Sequence, residues 1–326
     1  MADTLTFRVF VYNKKAPATW VGIGPPDIYG MVSVENSLTG LVVKTHDNLA
    51  LIQYRIGSSM NDPKSETLLS FADILEGFPL TGYAPGENDR IYLGTTAGIA
   101  CVIVRKDKAV PDIAFGDKGY IRFSDFRGRS VGSPVYSNGV VYVGIGGGES
   151  KTPCIAVIDG NTGEILSVDD LGDYYGELRN PPTITATDRG LYCAHPDGED
   201  VVHISRYGDV LWVCDADSTV IGRDFDGRSF TYGIGVDRDG FSYINTPGYS
   251  ARCAVIGPDG YSLFRVILVS LPGLRVSSVI PMVEGNKTDG LYFITRGGDV
   301  PYIFHVPFTV RTGIIVDESE YIRYSE

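Results

Sequence analysis

The sequence predicts an all-β fold, a six-bladed β-propeller with four antiparallel strands in each blade. Three observations predict it. Aromatic-rich, strand-like segments begin at Leu41, Ile91, Val141, Leu191, Phe241 and Leu291, a constant spacing of 50 residues. A turn signal precedes each one: Thr39-Gly40, Asn88-Asp89, Asn138-Gly139, Asp188-Arg-Gly190, Asp239-Gly240 and Asp289-Gly290. The segment Thr6–Tyr12 reads as a strand without a unit of its own. Periods of roughly 20–50 residues mark solenoids, propellers or arrays. A solenoid would expose two end sheets that need polar caps, whereas here the orphan strand is expected to join the last unit and close a ring.

Residues 1–326 are therefore expected to form a single domain, with blades at about 25–75, 76–125, 126–171, 172–217, 218–270 and 271–320, and a closing strand at 5–13. A seven-bladed ring is the alternative, if the N-terminal 30 residues and Glu318–Glu326 make a composite blade.

The third unit shows the pattern most plainly. Gly132–Tyr136 is its inner strand, Asn138-Gly139 the hairpin turn, and Val140–Ile145 the second strand. Cys154–Asp159 is the third strand, Gly160-Asn-Thr-Gly163 a turn, and Glu164–Val168 the outer strand. The fourth unit repeats it at Pro182–Ala186, Leu191–Ala194, Val201–Ile204 and Val210–Val213. The fifth gives Phe230–Val236, Phe241–Ile244, Arg252–Ile256 and Leu263–Leu268. The sixth gives Ser278–Val283, Leu291–Thr295, Tyr302–Val306 and Gly313–Asp317. The second unit has Ile99–Val104 as third strand and Tyr120–Phe123 as fourth, and the first carries a polar excursion, Gly57–Glu66, read as an exposed loop. Sheets sandwiched between neighbours are apolar on both faces, which accounts for near-continuous runs such as Ala100-Cys-Val-Ile-Val.

Composition narrows function by exclusion. The formal net charge is −12, from 28 basic and 40 acidic residues, which disfavours phosphate backbones and hence nucleic acid as a partner. Mean hydropathy is near zero, and the longest apolar candidate, Leu263–Leu274, is interrupted by Arg265 and Pro272, so no membrane insertion is expected. The N-terminus carries Asp3 where a signal peptide carries a base. The expectation is synthesis in the cytoplasm without signal peptide or transmembrane segment, with later incorporation into a virion or extracellular assembly as one setting. Five cysteines without a CxxC pair read as small buried hydrophobes.

Gly132-Ser-Pro-Val-Tyr-Ser-Asn-Gly-Val-Val-Tyr-Val-Gly144 and Ile155-Ala-Val-Ile-Asp-Gly-Asn-Thr-Gly-Glu-Ile-Leu166 resemble the repeat of the quinoprotein-type (PQQ-like) propellers. Ile204-Ser-Arg-Tyr-Gly-Asp-Val-Leu-Trp212 is similar again, and the resemblance implies that Trp212 docks against the next blade. The quinone-dependent members typically have eight blades and, in many, adjacent cysteines by the cofactor. This chain departs from both, so the resemblance implies a cofactor-free binding or assembly scaffold.

Two loops carry the candidate site residues. Asp169-Asp-Leu-Gly-Asp-Tyr-Tyr-Gly-Glu177 brings Asp169, Asp170, Asp173, Tyr174, Tyr175 and Glu177 together between two units. These residues suit a basic partner or a cation, the plainer reading being a solvated acidic loop. His195-Pro-Asp-Gly-Glu-Asp200 supplies Asp197, Glu199 and Asp200 as metal candidates beside His195; a polar hairpin loop shaped by Pro and Gly is the plainer reading. Gly144–Ser150 is not followed by a helix and reads as a flexible hairpin loop, and no nucleophile elbow or zinc-protease motif is present. Tyr92, Tyr142, Tyr192 and Tyr292 are expected between blades, while Tyr83, Tyr174, Tyr175, Tyr249 and Tyr261 fall in predicted loops, where Tyr favours protein interfaces.

The expected function is a non-enzymatic protein-binding or structural subunit of a larger assembly, a virion or tail among the settings. No cofactor is expected. The alternatives are a calcium-dependent six-bladed hydrolase or lactonase, and a carbohydrate-binding propeller with a glycan partner.

Overall fold

The computed structural model describes residues 7–12, 19–23, 28–34, 37–45, 48–55, 65–70, 78, 80–105, 108–123, 126, 129–148, 151–195, 200–215, 233–237, 239–246, 250–260, 262–270, 275–284, 287–297 and 300–313. Side chains are described at those positions from 78 to 214 and at 234–237, 239–244 and 256–260. The chain is all-β, built of separate antiparallel sheets of four strands, some with a fifth, that do not close into a barrel.

The first sheet runs in the order β3 (Ile28–Val34), β4 (Ser37–Thr45), β5 (Asn48–Arg55) and β6 (Ser65–Ser70). The second has β7 (Leu80–Pro85), β8 (Arg90–Thr95) and β9 (Gly98–Arg105), with β10 (Lys108–Pro111) and β11 (Tyr120–Arg122) both paired to β9. The third is β12 (Val131–Ser137), β13 (Val140–Ile145), β14 (Cys154–Asp159) and β15 (Ile165–Asp170). The fourth is β16 (Thr183–Thr187), β17 (Gly190–Ala194), β18 (Asp200–Ile204) and β19 (Val210–Asp215). The fifth is β20 (Gly233–Val236), β21 (Ser242–Thr246), β22 (Ser250–Ile256) and β23 (Ser262–Ser270). The sixth is β24 (Arg275–Glu284), β25 (Lys287–Gly297) and β26 (Val300–Gly313), whose outer edge takes both β1 (Phe7–Tyr12) and β2 (Thr19–Ile23).

Hairpin chemistry explains the central sheets. Asn138 and Gly139 both have positive φ, +50° and +83°, the conformation a two-residue hairpin of matching twist requires. The Asp159 carboxylate accepts from Asn161 N at 2.9 Å, Thr162 N at 2.7 Å and Thr162 Oγ1 at 3.0 Å. A side chain that satisfies three donors in its own turn fixes that turn, and the Thr162 amide bond, foremost among these, holds the Asp159 pKa below the usual carboxylate value. Asp237 does the same one hairpin type earlier, accepting from Asp239 N and Phe241 N.

Adjacent sheets are tied at one period. Thr81 Oγ1 donates to Gly132 O at 3.0 Å, Ser130 Oγ to Arg179 O at 2.8 Å and Thr185 Oγ1 to Ile234 O at 2.5 Å. The first strands of the sheets also touch in succession: β3 with β7, β7 with β12, β12 with β16, β16 with β20, β20 with β24, and β24 with β3. Between the second and third sheets lies a core of Tyr92, Cys101, Phe115, Val141, Val143, Ala156 and Ile158. Another joins Tyr192, Ala194 and Val201 of the fourth sheet to Ile234, Ile244 and Ile256 of the fifth.

Several elements differ from the sequence expectation. Thr39-Gly40 and Asp289-Gly290 lie inside β4 and β25, so neither is the turn. Gly290 pairs with Met282 and Thr288 with Val283, which leaves Asp289 as an extra residue in a bulge. A glycine in a strand marks such a bend as readily as a turn. The second sheet's outer position is split: Cys101 N bonds Gly119 O and Asp112 N bonds Cys101 O, and the residues between β10 and β11 turn Phe115 into the core and bond the third sheet's hairpin through Gly116 N. Tyr120–Phe123 supplied only half of that position. In the sixth sheet β26 is one long strand that ends at Gly313, and the place expected for Gly313–Asp317 is taken by β2 and β1. Residues 314–317 lie outside the described residues, as do 57–64 of the polar excursion, whose last two residues already belong to β6. Tyr83 sits on β7 and is buried, not in a loop.

Candidate functional site

The acidic loop begins as the last two residues of β15. Asp170 Oδ2 accepts from Thr152 Oγ1 at 2.7 Å, and Oδ1 accepts from Gly172 N at 2.6 Å. The Thr152 bond, then the Gly172 bond, lower the Asp170 pKa. The apolar Leu171 that follows is buried, and its amide bonds Pro153 O at 2.9 Å. That anchor starts α1 (Gly172–Tyr175), a single turn ended by Gly176 at φ +56°. A non-glycine residue is strained there.

The single turn decides which side chains face out. Tyr175 points inward and is buried; its hydroxyl donates to Cys193 O at 3.0 Å and Asp200 O at 3.2 Å. Its ring lies 5.2 Å from that of His195, and His195 Nε2 is 2.6 Å from Asn180 O. Burial holds the Tyr175 pKa well above its ordinary value, so the phenol stays a neutral donor. Asp173 and Glu177 are exposed, while Tyr174 is half-buried against the same cluster as Leu171 and Tyr175.

The two candidate loops therefore meet, through Tyr175 and the backbone of Asp200. The meeting is structural. Tyr175, expected as part of a docking surface, is a core residue, and the correction follows from its apolar ring and two carbonyl acceptors. Among the metal candidates, Asp197 and Glu199 lie outside the described residues. Among the described residues no group of three or more His, Cys, Asp or Glu could hold a metal ion. Asp169, Asp170, Asp173 and Glu177 remain as an acidic outer border at the end of β15.

The glycine run has a different purpose from the flexibility expected. A Cβ on Gly146 would lie 1.9 Å from Arg179 O, and one on Gly147 2.3 Å from Leu178 O. Gly147 N also donates to Leu178 O at 2.8 Å. The run lets the chain leaving α1 press onto the β13–β14 loop. Arg129, for which the sequence offered no signal, braces the other side. Its guanidinium donates to Gly146 O at 2.5 Å and to Thr152 O, with its carbon 5.4 Å from the Phe126 ring centre.

Buried polar atoms gather between the fourth and fifth sheets. Tyr192 stacks on His203 with ring centres 3.9 Å apart, and Trp212 stands edge-on to both. The Tyr192 hydroxyl, both His203 ring nitrogens and Ser242 Oγ are buried without a hydrogen-bond partner. Burial is the chief cause that lowers the His203 pKa, with the Arg189 charge acting in the same direction, and burial pushes that of Tyr192 up to about 12. Trp212 Nε1 donates to Pro258 O at 3.0 Å, so this indole does dock on the following sheet. Cys101, Cys154 and Cys193 are free thiols and, like Cys214, buried, and burial raises the pKa of the first three. Such thiols are inert packing groups rather than nucleophiles.

The outer strands show what sequence reading missed. On β15, Ile165, Leu166 and Val168 are 40%, 53% and 47% exposed. On β19, Val210, Leu211 and Val213 are likewise exposed, with Tyr207 in the preceding hairpin. Strand periodicity could not have found them, because an apolar outer strand reads like a buried one.

No family model matches the sequence. No curated protein matches it either. The fold is similar to that of a member of the DUF4221 family from Bacteroides vulgatus, with a TM-score of 0.59 at 11% identity over 94% of this chain and 99% of that one. It is also similar to a protein of unknown function from Bacteroides caccae, with a TM-score of 0.50 at 15% identity over 78% of this chain and 81% of that one. At these identities the likeness concerns the fold alone.

Proposed function

We propose that the six sheets are the blades of a closed six-bladed propeller, and that the protein is a non-enzymatic, protein-binding subunit of a larger assembly. The ring is supported by the succession of contacts between first strands, which returns from β24 to β3. It is supported also by the addition of the N-terminal strands to the last sheet. The binding role rests on one observation: outer strands β15 and β19, of successive sheets, leave Ile165, Leu166, Val168, Val210, Leu211 and Val213 to solvent. Exposed apolar side chains rimmed by polar ones mark interaction sites, and an open sheet edge is a ready template for another strand.

The test is the native assembly, isolated from its source and measured by light scattering and crosslinking mass spectrometry. The reading expects a stoichiometric complex with crosslinks at Lys151 and in the 164–177 and 206–213 segments. A monomer that carries a stoichiometric calcium ion, or that turns over an ester or lactone, overturns it in favour of the hydrolase.

A further inference from the structure

We propose that β15 is a strand-addition site for an extended, basic segment of a different protein; this rests on the protein-binding reading above and names the partner's chemistry. Its inner side pairs with β14, and among the described residues no strand pairs with its outer side. It is also more open than the other outer strands whose side chains are described. Five of its six residues are exposed and none is buried, whereas β11 buries Tyr120 and Ile121 and β19 buries Cys214 and tucks Trp212 against the fifth sheet. Natural edges are usually short, charged or covered, and this one presents Ile165, Leu166 and Val168 within its first four residues, Leu166 being the extra residue of a bulge against β14.

Charge selects the occupant. Glu164 precedes the strand, Asp169 and Asp170 end it, and Asp173 and Glu177 follow on the exposed turn. Arg129 and Lys151 stand near Asp170 through the Thr152 segment, and they leave the border acidic. A second copy is a poor fit. Antiparallel self-pairing about the strand centre sets Asp170 opposite Ile165 and Asp169 opposite Leu166; parallel pairing sets each aspartate on itself. Like charges directly opposite destabilise a ladder, and the net charge of −12 opposes self-association further. An incoming antiparallel strand complements the edge when it begins with two basic residues, across from Asp170 and Asp169. A residue for Val168, a polar one for Ser167 and two apolar ones for Leu166 and Ile165 follow. Main-chain bonds would give affinity, and this order of side chains specificity.

The experiment uses the full chain and two labelled synthetic peptides, Arg-Lys-Val-Thr-Val-Ile and its charge-reversed counterpart Glu-Glu-Val-Thr-Val-Ile. The basic peptide is expected to bind at least about tenfold tighter, with the difference shrinking as salt screens the pairing. Hydrogen exchange should show slowed amides within 165–170. The double variant Leu166→Lys, Val168→Lys alters only exposed side chains and should lose about tenfold in affinity, since lysines guard an edge, while Ile113→Lys, at an exposed apolar position after β10 and away from both outer strands, should bind unchanged. Equal binding of both peptides, protection elsewhere, or dimerisation of the chain through β15 overturns the assignment. A native complex whose β15 amides stay unprotected removes this site and leaves the protein-binding reading standing. Absence of any native complex removes both.

Discussion

The Tyr92 hydroxyl donates to the carbonyl of Gly160 at 2.8 Å, from the second sheet to a hairpin of the third. The contact is one of a set. Arg90 Nη1 reaches Asn161 Oδ1 at 2.5 Å, and Gly116 N bonds Thr162 O at 2.8 Å, while Tyr92 itself stacks on Tyr136 with ring centres 5.4 Å apart. Two periods along, Tyr192 occupies the matching strand position, paired with His203 as Tyr92 is with Cys101. Its hydroxyl has no acceptor, because Trp212 occupies the corresponding hairpin, bonding Pro258 O and packing on Gly260.

That asymmetry predicts opposite outcomes for one substitution. Tyr92→Phe strands the Gly160 carbonyl and should cost about 1–2 kcal/mol. Tyr192→Phe removes a buried hydroxyl that makes no bond, so it should be neutral or stabilising by up to about 1 kcal/mol. Urea unfolding of the two variants measures the difference; equal losses would refute the orphaned hydroxyl.

Trp212 should be the costlier residue to change. Trp212→Phe removes the donor to Pro258 O and part of the ring that Tyr192 and His203 meet edge-on. A loss of about 2–3 kcal/mol is expected, from a cavity plus an unsatisfied carbonyl. Gly260→Ala should destabilise as well, since its Cβ would lie 2.7 Å from Trp212 Cγ and its φ is +84°. A double-mutant cycle should show the two effects to be non-additive, as expected of residues in contact.

What the sequence revealed and what it hid divide along physical lines. Turns that depend on one residue's chemistry were legible: Asn138-Gly139 from its φ requirement, and Asp159 to Gly163 from a carboxylate that caps its own loop. The docking of Trp212 was legible through the repeat. Tyr175 was misread because a residue's loop position says nothing of its burial; one turn of helix turned its ring toward Cys193 and His195. Gly146 and Gly147 were misread because close backbone approach and flexibility leave the same composition. The exposure of Ile165, Leu166 and Val168 was hidden for the complementary reason, that outer and inner strands of a packed sheet share one apolar signature.

Acid should weaken the fold through three named groups. Asp159 and Asp170 have lowered pKa values, from the Thr162 amide and the Thr152 hydroxyl respectively. Each contributes stability that is full above the ordinary carboxylate pKa and is lost as pH falls through the lower folded value. His203, buried and lowered, adds a loss that begins earlier, as pH falls below the ordinary imidazole pKa, because unfolding lets it take a proton. Unfolding midpoints between about pH 8 and about pH 3, a span that covers the ordinary imidazole and carboxylate pKa values, should thus decline in two stages. His203→Gln should remove the upper stage and Asp159→Ala should flatten the lower one; unchanged profiles would remove these assignments.

The glycine run offers the sharpest steric test. Gly146→Ala would place a Cβ 1.9 Å from Arg179 O, against backbone that cannot rotate away, whereas a Cβ on Gly148 meets only the Arg129 side chain at 3.4 Å. Gly146→Ala should cost about 2–3 kcal/mol or more, and Gly148→Ala should stay within about 0.5 kcal/mol. The location of the damage is informative too. If the glycines exist so that residues 178–179 can press onto the β13–β14 loop, the amide of Gly147, bonded to Leu178 O at 2.8 Å, should exchange faster in Gly146→Ala, as should the Gly176 amide bonded to Gly172 O at 2.9 Å. If the run were a flexible hairpin, both alanine variants would unfold together with the parent, and those amides would exchange as before.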